Sequence, residues 1–105
     1  MARKLKLKPN ATFKYSVFIP VAGSESEPVL FEFRAKTQDE FDKFIKSLTS
    51  FENDVDVLMD FVVGWDLPEE FTRENLTILL QNYIGAGRVI CKGYIDEISK
   101  ARLGN

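Results

Sequence analysis

Hydrophobic and polar positions alternate along two segments in the first third of the chain. Alternate positions of the first segment, 11–19, are apolar: Phe13, Tyr15, Val17 and Ile19. In the second segment, 29–36, the matching positions hold Val29, Phe31, Phe33 and Ala35. A period of two predicts half-buried strands, and the polar stretch between them, with its Gly and Pro, predicts a turn. The pattern therefore predicts an antiparallel β-hairpin whose aromatic face rests on another layer, because an isolated hairpin is marginally stable in water.

After residue 36 the apolar positions recur at helical spacing. Thr37 and Glu40 have the spacing of a capping box, which predicts the start of a helix. The apolar stripe of this first helix is Phe41, Phe44, Ile45 and Leu48. A second helix is predicted to start near Asn53 or Asp54, with Val57, Leu58, Phe61 and Val62 in its stripe. Gly64 is then placed to end that helix in the left-handed conformation.

Two more helices are predicted in the last third of the chain. Thr72 is the expected N-cap of the third, whose apolar positions include Leu76, Leu79, Leu80 and Tyr83. The fourth is expected to run from about 86 to 102, with Val89, Ile90, Tyr94 and Ile98 inward, Arg102 in its final turn and Gly104 just beyond. The element order predicts an α+β fold, an N-terminal antiparallel β-hairpin followed by about four α-helices. We expect a single α+β domain over 11–105, preceded by a flexible basic arm at 1–10.

Composition supports one ordinary globular domain. The chain has 105 residues, of which 45% are hydrophobic and 29% are charged. No apolar run approaches the roughly 18–20 residues of a membrane span, and the basic start lacks the apolar core of a secretory signal. A single cysteine, Cys91, is typical of a reducing compartment, and it is expected to be a small buried residue of the last helix. These features predict a cytoplasmic protein that does not bind membranes.

Charge is distributed unevenly. The arm carries four bases (Arg3, Lys4, Lys6 and Lys8), which against a net charge of −2 leaves about −6 for residues 11–105. Residues 52–70 contain seven acids and no base. An acidic body disfavours nucleic-acid binding, because contact with phosphates needs basic surface. The arm alone could hold phosphate weakly, but a solvated terminus is the favoured interpretation.

The chain lacks the usual residues of an enzyme site. It has no His, the commonest general base and zinc ligand, and no Gly-rich phosphate-binding motif. The spacing of Asp54, Asp56 and Asp60 resembles part of a calcium-binding loop, but apolar residues occupy the positions of the further oxygen ligands. We therefore expect no catalytic residues, no cofactor and no metal site, and a function based on binding.

One block, from Gly64 to Thr72, has a clear structural logic. Gly64 is placed as a helix stop, and the sequence Leu67-Pro68 forces an extended step. Phe71 before the Thr72 cap is placed as a hydrophobic staple for the third helix. Trp65, the chain's only tryptophan, is expected to anchor the loop in the core rather than contact a ligand directly. The structural motif is thus Gly64, Trp65, Asp66, Phe71 and Thr72.

The order of these motifs resembles the tail assembly chaperones of long-tailed bacteriophages and prophages. The similarity rests on Phe31-Glu32-Phe33-Arg34, Val63-Gly64-Trp65-Asp66, Phe71-Thr72-Arg73-Glu74-Asn75-Leu76 and Arg102-Leu103-Gly104-Asn105. It implies a non-enzymatic factor of the host bacterial cytoplasm that coats the long, helical tape measure protein and keeps it soluble for tail tube assembly. It also implies self-association and contact with the tail tube protein. The alternative is a structural minor component of the virion tail.

A chaperone of an amphipathic helical partner needs exposed apolar surface. Phe18 and Leu30 are out of step with the hairpin alternation and are candidates for exposure on its second face. The segment 54–63 carries more apolar residues than one buried stripe uses, which makes Val55, Met59 and Val63 further candidates. The competing interpretation is a second helix that is buried on most sides.

Overall fold

The computed structural model describes Leu5 and residues 7–48 and 55–100. Three strands and four helices follow one another in the order β1 (Thr12–Ile19), β2 (Glu27–Arg34), α1 (Gln38–Ser47), α2 (Val55–Phe61), β3 (Val62–Trp65), α3 (Arg73–Asn82) and α4 (Ala86–Ser99). The predicted α+β class is confirmed, with an N-terminal antiparallel hairpin and four helices after it. A third strand, which the sequence pattern did not predict, lies between α2 and α3.

The hairpin has the predicted faces. β1 and β2 pair antiparallel from Thr12 opposite Arg34 to Ile19 opposite Glu27. On the inner face, five of the predicted apolar positions are buried, Val17, Ile19, Val29, Phe31 and Phe33, while Phe13 and Tyr15 are half-buried. The connecting loop turns at Gly23, whose φ of 75° is the only positive value among the residues that the structure describes. Glycine suits this position because a side chain would be strained there.

The predicted end of the second helix was wrong. α2 stops at Phe61, and the next four residues form β3, which pairs antiparallel with β2 so that Trp65 lies opposite Phe31 and Gly64 opposite Glu32. Val63 is the extra residue of a bulge in this pairing. Gly64 does not have the positive φ of a helix terminator. The reason is that β-branched Val62 and Val63 favour a strand, and the free edge of β2 offers partners to Val62, Gly64 and Trp65.

The predicted helix starts at Thr37 and Thr72 are confirmed. The Glu40 amide donates to the Thr37 hydroxyl at 3.2 Å, and the Thr37 amide donates to the Glu40 carboxylate at 2.8 Å. That second bond is the main reason that the pKa of Glu40 lies below its usual value. The Asn75 amide donates to the Thr72 hydroxyl at 3.0 Å. The predicted features at Asn53, Asp54, Arg102 and Gly104 lie outside the described residues.

The core is a cluster of aromatic rings around Tyr94. This α4 side chain is fully buried, and its ring stacks on that of Phe61 with centroids 4.2 Å apart. The rings that surround it are Phe13, Phe33, Phe44 and Phe61. The Tyr94 hydroxyl donates to the Arg34 carbonyl at 2.8 Å, and burial raises the pKa of Tyr94 far above its usual value. α4 also buries Cys91, as predicted.

All four helices lie after the hairpin, and α2 and α4 contact the inner face of the sheet. The outer face carries the other set of alternating residues, among them Lys14, Phe18 and Glu32. There the Thr12 hydroxyl donates to the Glu32 carboxylate at 2.6 Å. Of the predicted arm, Leu5 and residues 7–10 are described, and all of them are exposed; its flexibility and the single-domain boundary stay predictions.

Candidate protein-binding surface

The two partner-binding candidates on the hairpin lie on the outer face of the sheet. Phe18 is 61% exposed, in accord with its position out of step with the buried set. Leu30 is half-buried. Its amide and carbonyl are both hydrogen-bonded to Asp66, in the loop after β3. Phe18 is thus the more accessible of the two.

The other three candidates lie elsewhere. Val55 and Met59 are half-buried on α2 and pack against the core. Val63 is half-buried in the β3 bulge. Because α2 contacts β2, β3, α3 and α4, its apolar residues serve mostly to bury the helix on several sides. The structure therefore does not bring the five candidates into one surface, and their role in binding stays a prediction.

The Gly64–Thr72 block comprises the end of β3 and the loop that leads to α3. Trp65 packs edge-on against Phe71, with ring centroids 5.1 Å apart, and contacts Phe31 at 6.4 Å. Its indole N–H donates to the Glu69 carbonyl at 2.7 Å. Trp65 is half-buried and packs against the core. It anchors the loop, as expected, yet one side of it faces a surface groove.

This groove, which we call the α3 groove, lies between α3 and the segment Trp65–Glu69. Its volume is about 300 Å³, and its apolar lining consists of Trp65, Leu67, Ile78, Leu79 and Tyr83. Ile78 is 55% exposed and Tyr83 is 38% exposed. Ile84 follows directly after Tyr83 and is also exposed. Exposed aliphatic and aromatic side chains around a concave surface are typical of protein-binding sites.

Sequence reasoning missed Ile78, although a signal was present. The buried positions of α3 are Leu76 and Leu80, with Leu79 half-buried. Ile78 lies outside that stripe, so it is a surplus apolar residue of the kind that drew attention to α2. Comparing the apolar residues of α3 with its single buried stripe identifies Ile78.

The side-chain amides of the α3 groove donate to carbonyls of the protein, and acids lie beside them. The Asn75 side-chain amide donates to the Glu70 carbonyl at 2.7 Å, and that of Asn82 donates to the Ile78 carbonyl at 2.9 Å. Glu69 lines the groove, and Glu74 is exposed on the first turn of α3. Arg73, the base next to these acids, forms an ion pair with Asp56 of α2. Glu69 and its chain neighbour Glu70, with Glu74 next to the lining residue Asn75, form what we call the acidic rim, and the floor of the groove is apolar.

A larger cleft of about 500 Å³ lies between α1 and α2, but its chemistry is mixed. Its lining includes Lys36, Glu40, Lys43, Asp56 and Asp60. Lys36 pairs with the Asp60 carboxylate at 3.0 Å. Within the described parts of the chain, no three His, Cys, Asp or Glu residues are grouped so that they could hold a metal ion. The cleft therefore combines the apolar residues Phe44 and Val57 with charges of both signs.

The comparison with protein families agrees with the motif order. The family model described as "Phage tail assembly chaperone" matches residues 1–105, the whole chain. The chain belongs to this family. Comparisons with curated proteins and with solved structures gave no match.

The motifs that suggested the family now have structural roles in this tail assembly chaperone. Phe31 and Phe33 form the buried face of β2, Trp65 and Asp66 fasten the loop after β3, and Thr72 caps α3. No helix in the described ranges is long and apolar enough to cross a membrane. The Gly64–Thr72 block also builds one wall of the α3 groove. It therefore stabilises the fold and lines a candidate binding surface at the same time.

Proposed function

We propose that this tail assembly chaperone binds the tape measure protein of its phage and keeps it soluble in the host cytoplasm until tail tube subunits assemble around it. The observation that carries the proposal is the family match over the whole chain. The chaperone acts without catalysis, by binding alone. It associates with itself and meets the tail tube protein during assembly.

The surface chemistry supports this function. A soluble chaperone for an aggregation-prone partner must present apolar side chains to water without aggregating itself. The α3 groove combines exposed Ile78 and Tyr83 with the neighbouring carboxylates of Glu69 and Glu74. Like charges on the rim disfavour contact between two copies through this face, so the apolar floor remains available to a partner.

Co-expression with the tape measure protein encoded by the same phage tests the proposal. The expected result is a larger soluble fraction of the tape measure protein and its co-purification with the chaperone. An unrelated acidic protein of similar size, expressed at the same level, is the control. An unchanged soluble fraction together with no co-purification contradicts the proposed function.

Mass spectrometry of purified phage particles separates the chaperone from a structural minor component of the tail. A chaperone leaves before the tail is complete, so its peptides should be absent while those of the tape measure and tube proteins are present. Detection of the chain in stoichiometric amount in washed particles would favour the structural alternative.

A further inference from the structure

We propose that the α3 groove receives one amphipathic helix whose apolar stripe is flanked by Lys and Arg. This inference rests on the proposed function and specifies the surface and the type of segment that it binds. Three features of the groove lead to it: the apolar floor, the internal hydrogen bonds of Trp65, Asn75 and Asn82, and the acidic rim.

The floor of the groove matches an apolar stripe. Ile78 and Leu79 come from α3, whereas Trp65 is the last residue of β3 and Leu67 lies in the loop after it, so different elements form the walls. α3 has 10 residues, which at 1.5 Å per residue gives a wall about 15 Å long. A helix of three turns or more can lie along such a wall with residues spaced by three and four positions in the groove.

Engaged donors favour a helical over an extended partner. The indole N–H of Trp65 is used by the Glu69 carbonyl, and the side-chain amides of Asn75 and Asn82 both donate to carbonyls of the protein. An extended segment would bury backbone carbonyls that need donors from the groove. A helix satisfies its backbone internally and asks the groove only for apolar contact.

The acidic rim determines the charge of the partner. Residues 67–74 include three acids, Glu69, Glu70 and Glu74, and a single base, Arg73, which is paired with Asp56. The carboxylates of Glu70 and Glu74 belong to exposed residues. Complementary charge accelerates association and rejects partners of the same sign. Lys and Arg beside the apolar stripe therefore meet the rim favourably, whereas Asp and Glu are repelled.

The chain's own basic arm is the competing occupant, and the structure disfavours it. Leu5 and Leu7 alternate with Lys, so the arm also combines apolar and basic residues. However, Leu5 is 82% exposed and Leu7 is 100% exposed, so neither side chain lies in the groove. The groove is open in the protein as described, which leaves it to a partner.

Two synthetic helical peptides of about 18 residues, or five turns, test the inference. Both carry the same Leu stripe, and the flanking positions are Lys in one and Glu in the other. Fluorescence of Trp65, the single tryptophan, reports occupancy of the groove directly. We expect a blue shift and binding of the Lys peptide about tenfold tighter than that of the Glu peptide at low salt, with a smaller difference at high salt. Equal affinities, or no change in Trp65 emission, would overturn the inference.

Matched variants locate the site. Ile78→Ser should weaken binding of the Lys peptide at least about fivefold, whereas Ile45→Ser on α1, where the side chain is 39% exposed and does not line the groove, should not change it. The triple variant Glu69→Gln, Glu70→Gln, Glu74→Gln should remove the preference for Lys over Glu while binding of the Leu stripe persists. Circular dichroism confirms that each variant is folded. Loss of binding in Ile45→Ser with normal binding in Ile78→Ser overturns the assignment of the surface.

A further variant and the co-expression assay separate the remaining outcomes. Deletion of residues 2–8 should leave the affinity for the Lys peptide unchanged; a marked increase would show that the arm is the true occupant and overturn the inference. If the chaperone solubilises the tape measure protein but Ile78→Ser does so equally well, the groove assignment fails and the proposed function stands. If the Lys peptide binds the groove but the tape measure protein stays insoluble, the proposed function fails instead.

Discussion

Asp66 and Leu30 are joined by two hydrogen bonds that continue the sheet past the end of β3. The Asp66 amide donates to the Leu30 carbonyl at 3.0 Å, and the Leu30 amide donates to the Asp66 carboxylate, also at 3.0 Å. The Asp66 carboxylate thus accepts from Leu30 in place of the backbone carbonyl that a longer β3 would provide. Because Trp65 immediately precedes Asp66 and lines the α3 groove, this pair fixes the position of one groove wall.

Asp66→Ala should therefore destabilise the protein by about 1 kcal/mol, since it removes an ionised acceptor and leaves the Leu30 amide to water. Urea unfolding followed by Trp65 fluorescence measures the change, because the single tryptophan lies next to Asp66 and packs against the core. Asp66→Asn is the control, as its side-chain oxygen can still accept from Leu30, and it should recover most of the loss. Equal stability of the alanine and wild-type proteins would show that the second hydrogen bond contributes nothing.

Tyr94→Phe should cost about 1 kcal/mol of unfolding free energy. The ring remains in its stack with Phe61 and among the other aromatic side chains, so the variant removes only the hydrogen bond from the hydroxyl to the Arg34 carbonyl. Tyr94→Ala, which removes the ring as well, should cost about 3–5 kcal/mol. Chemical denaturation monitored by circular dichroism ranks the three proteins; a phenylalanine variant as unstable as the alanine variant would contradict this division.

Wild type and Tyr94→Phe should also differ in stability at alkaline pH. Burial raises the pKa of Tyr94 in the folded protein above its ordinary value of 10.0, so above that pH the unfolded chain releases a proton that the folded protein retains. The stabilisation from neutral Tyr94 is complete below about pH 10 and decreases as pH rises further. Wild type should thus lose stability more steeply than Tyr94→Phe above this pH, and the variant corrects for titration of Lys and the other Tyr residues. Parallel curves for the two proteins would contradict the prediction.

Local signals in the sequence were sufficient for most of the fold. The alternation around Val17 and Phe31 predicted the inner face of the hairpin, and the capping residues Thr37 and Thr72 predicted the helix starts that the structure shows. These features succeed because each depends on residues within a few positions of one another. The family motif series was equally informative, since the whole-chain match bears it out.

Features that depend on distant residues were not accessible in this way. β3 exists because Val62 and Trp65 find backbone partners on β2, about 30 residues earlier in the chain; by local pattern alone the segment continues a helix. The α3 groove likewise combines Trp65, the last residue of β3, with Ile78 of α3 and its C-cap Tyr83. Neither arrangement has a short-range signature, so only the tertiary structure reveals it.

Gly93 sets how closely α4 can approach β1. A Cβ atom at this position would lie 3.2 Å from Val17 Cγ2 and 3.5 Å from Tyr15 Cε2. Gly93→Ala should be nearly neutral, because the gain in helix propensity of about 1 kcal/mol offsets a small repacking of Val17. Gly93→Leu should cost about 1–3 kcal/mol, as the side chain must displace the hairpin.

Arg88→Leu, at an exposed position of the same helix, is the control for Gly93→Leu and should stay within about 0.5 kcal/mol of wild type. Thermal and urea unfolding measure all three variants. If Gly93→Leu were as stable as Arg88→Leu, the close contact between α4 and β1 would not constrain the fold.

The Thr72 cap connects the stability of α3 to the shape of the α3 groove. Its hydroxyl accepts from the Asn75 amide at 3.0 Å, and the Asn75 side chain in turn donates to the Glu70 carbonyl at 2.7 Å, so the cap and the groove wall share one residue. Thr72→Ala should cost about 1 kcal/mol and increase amide hydrogen exchange in the first turn of α3 more than in α4. Thr72→Ser retains the acceptor and should behave like wild type. Uniform acceleration of exchange across both helices would instead indicate that the cap acts only through global stability and does not order the groove.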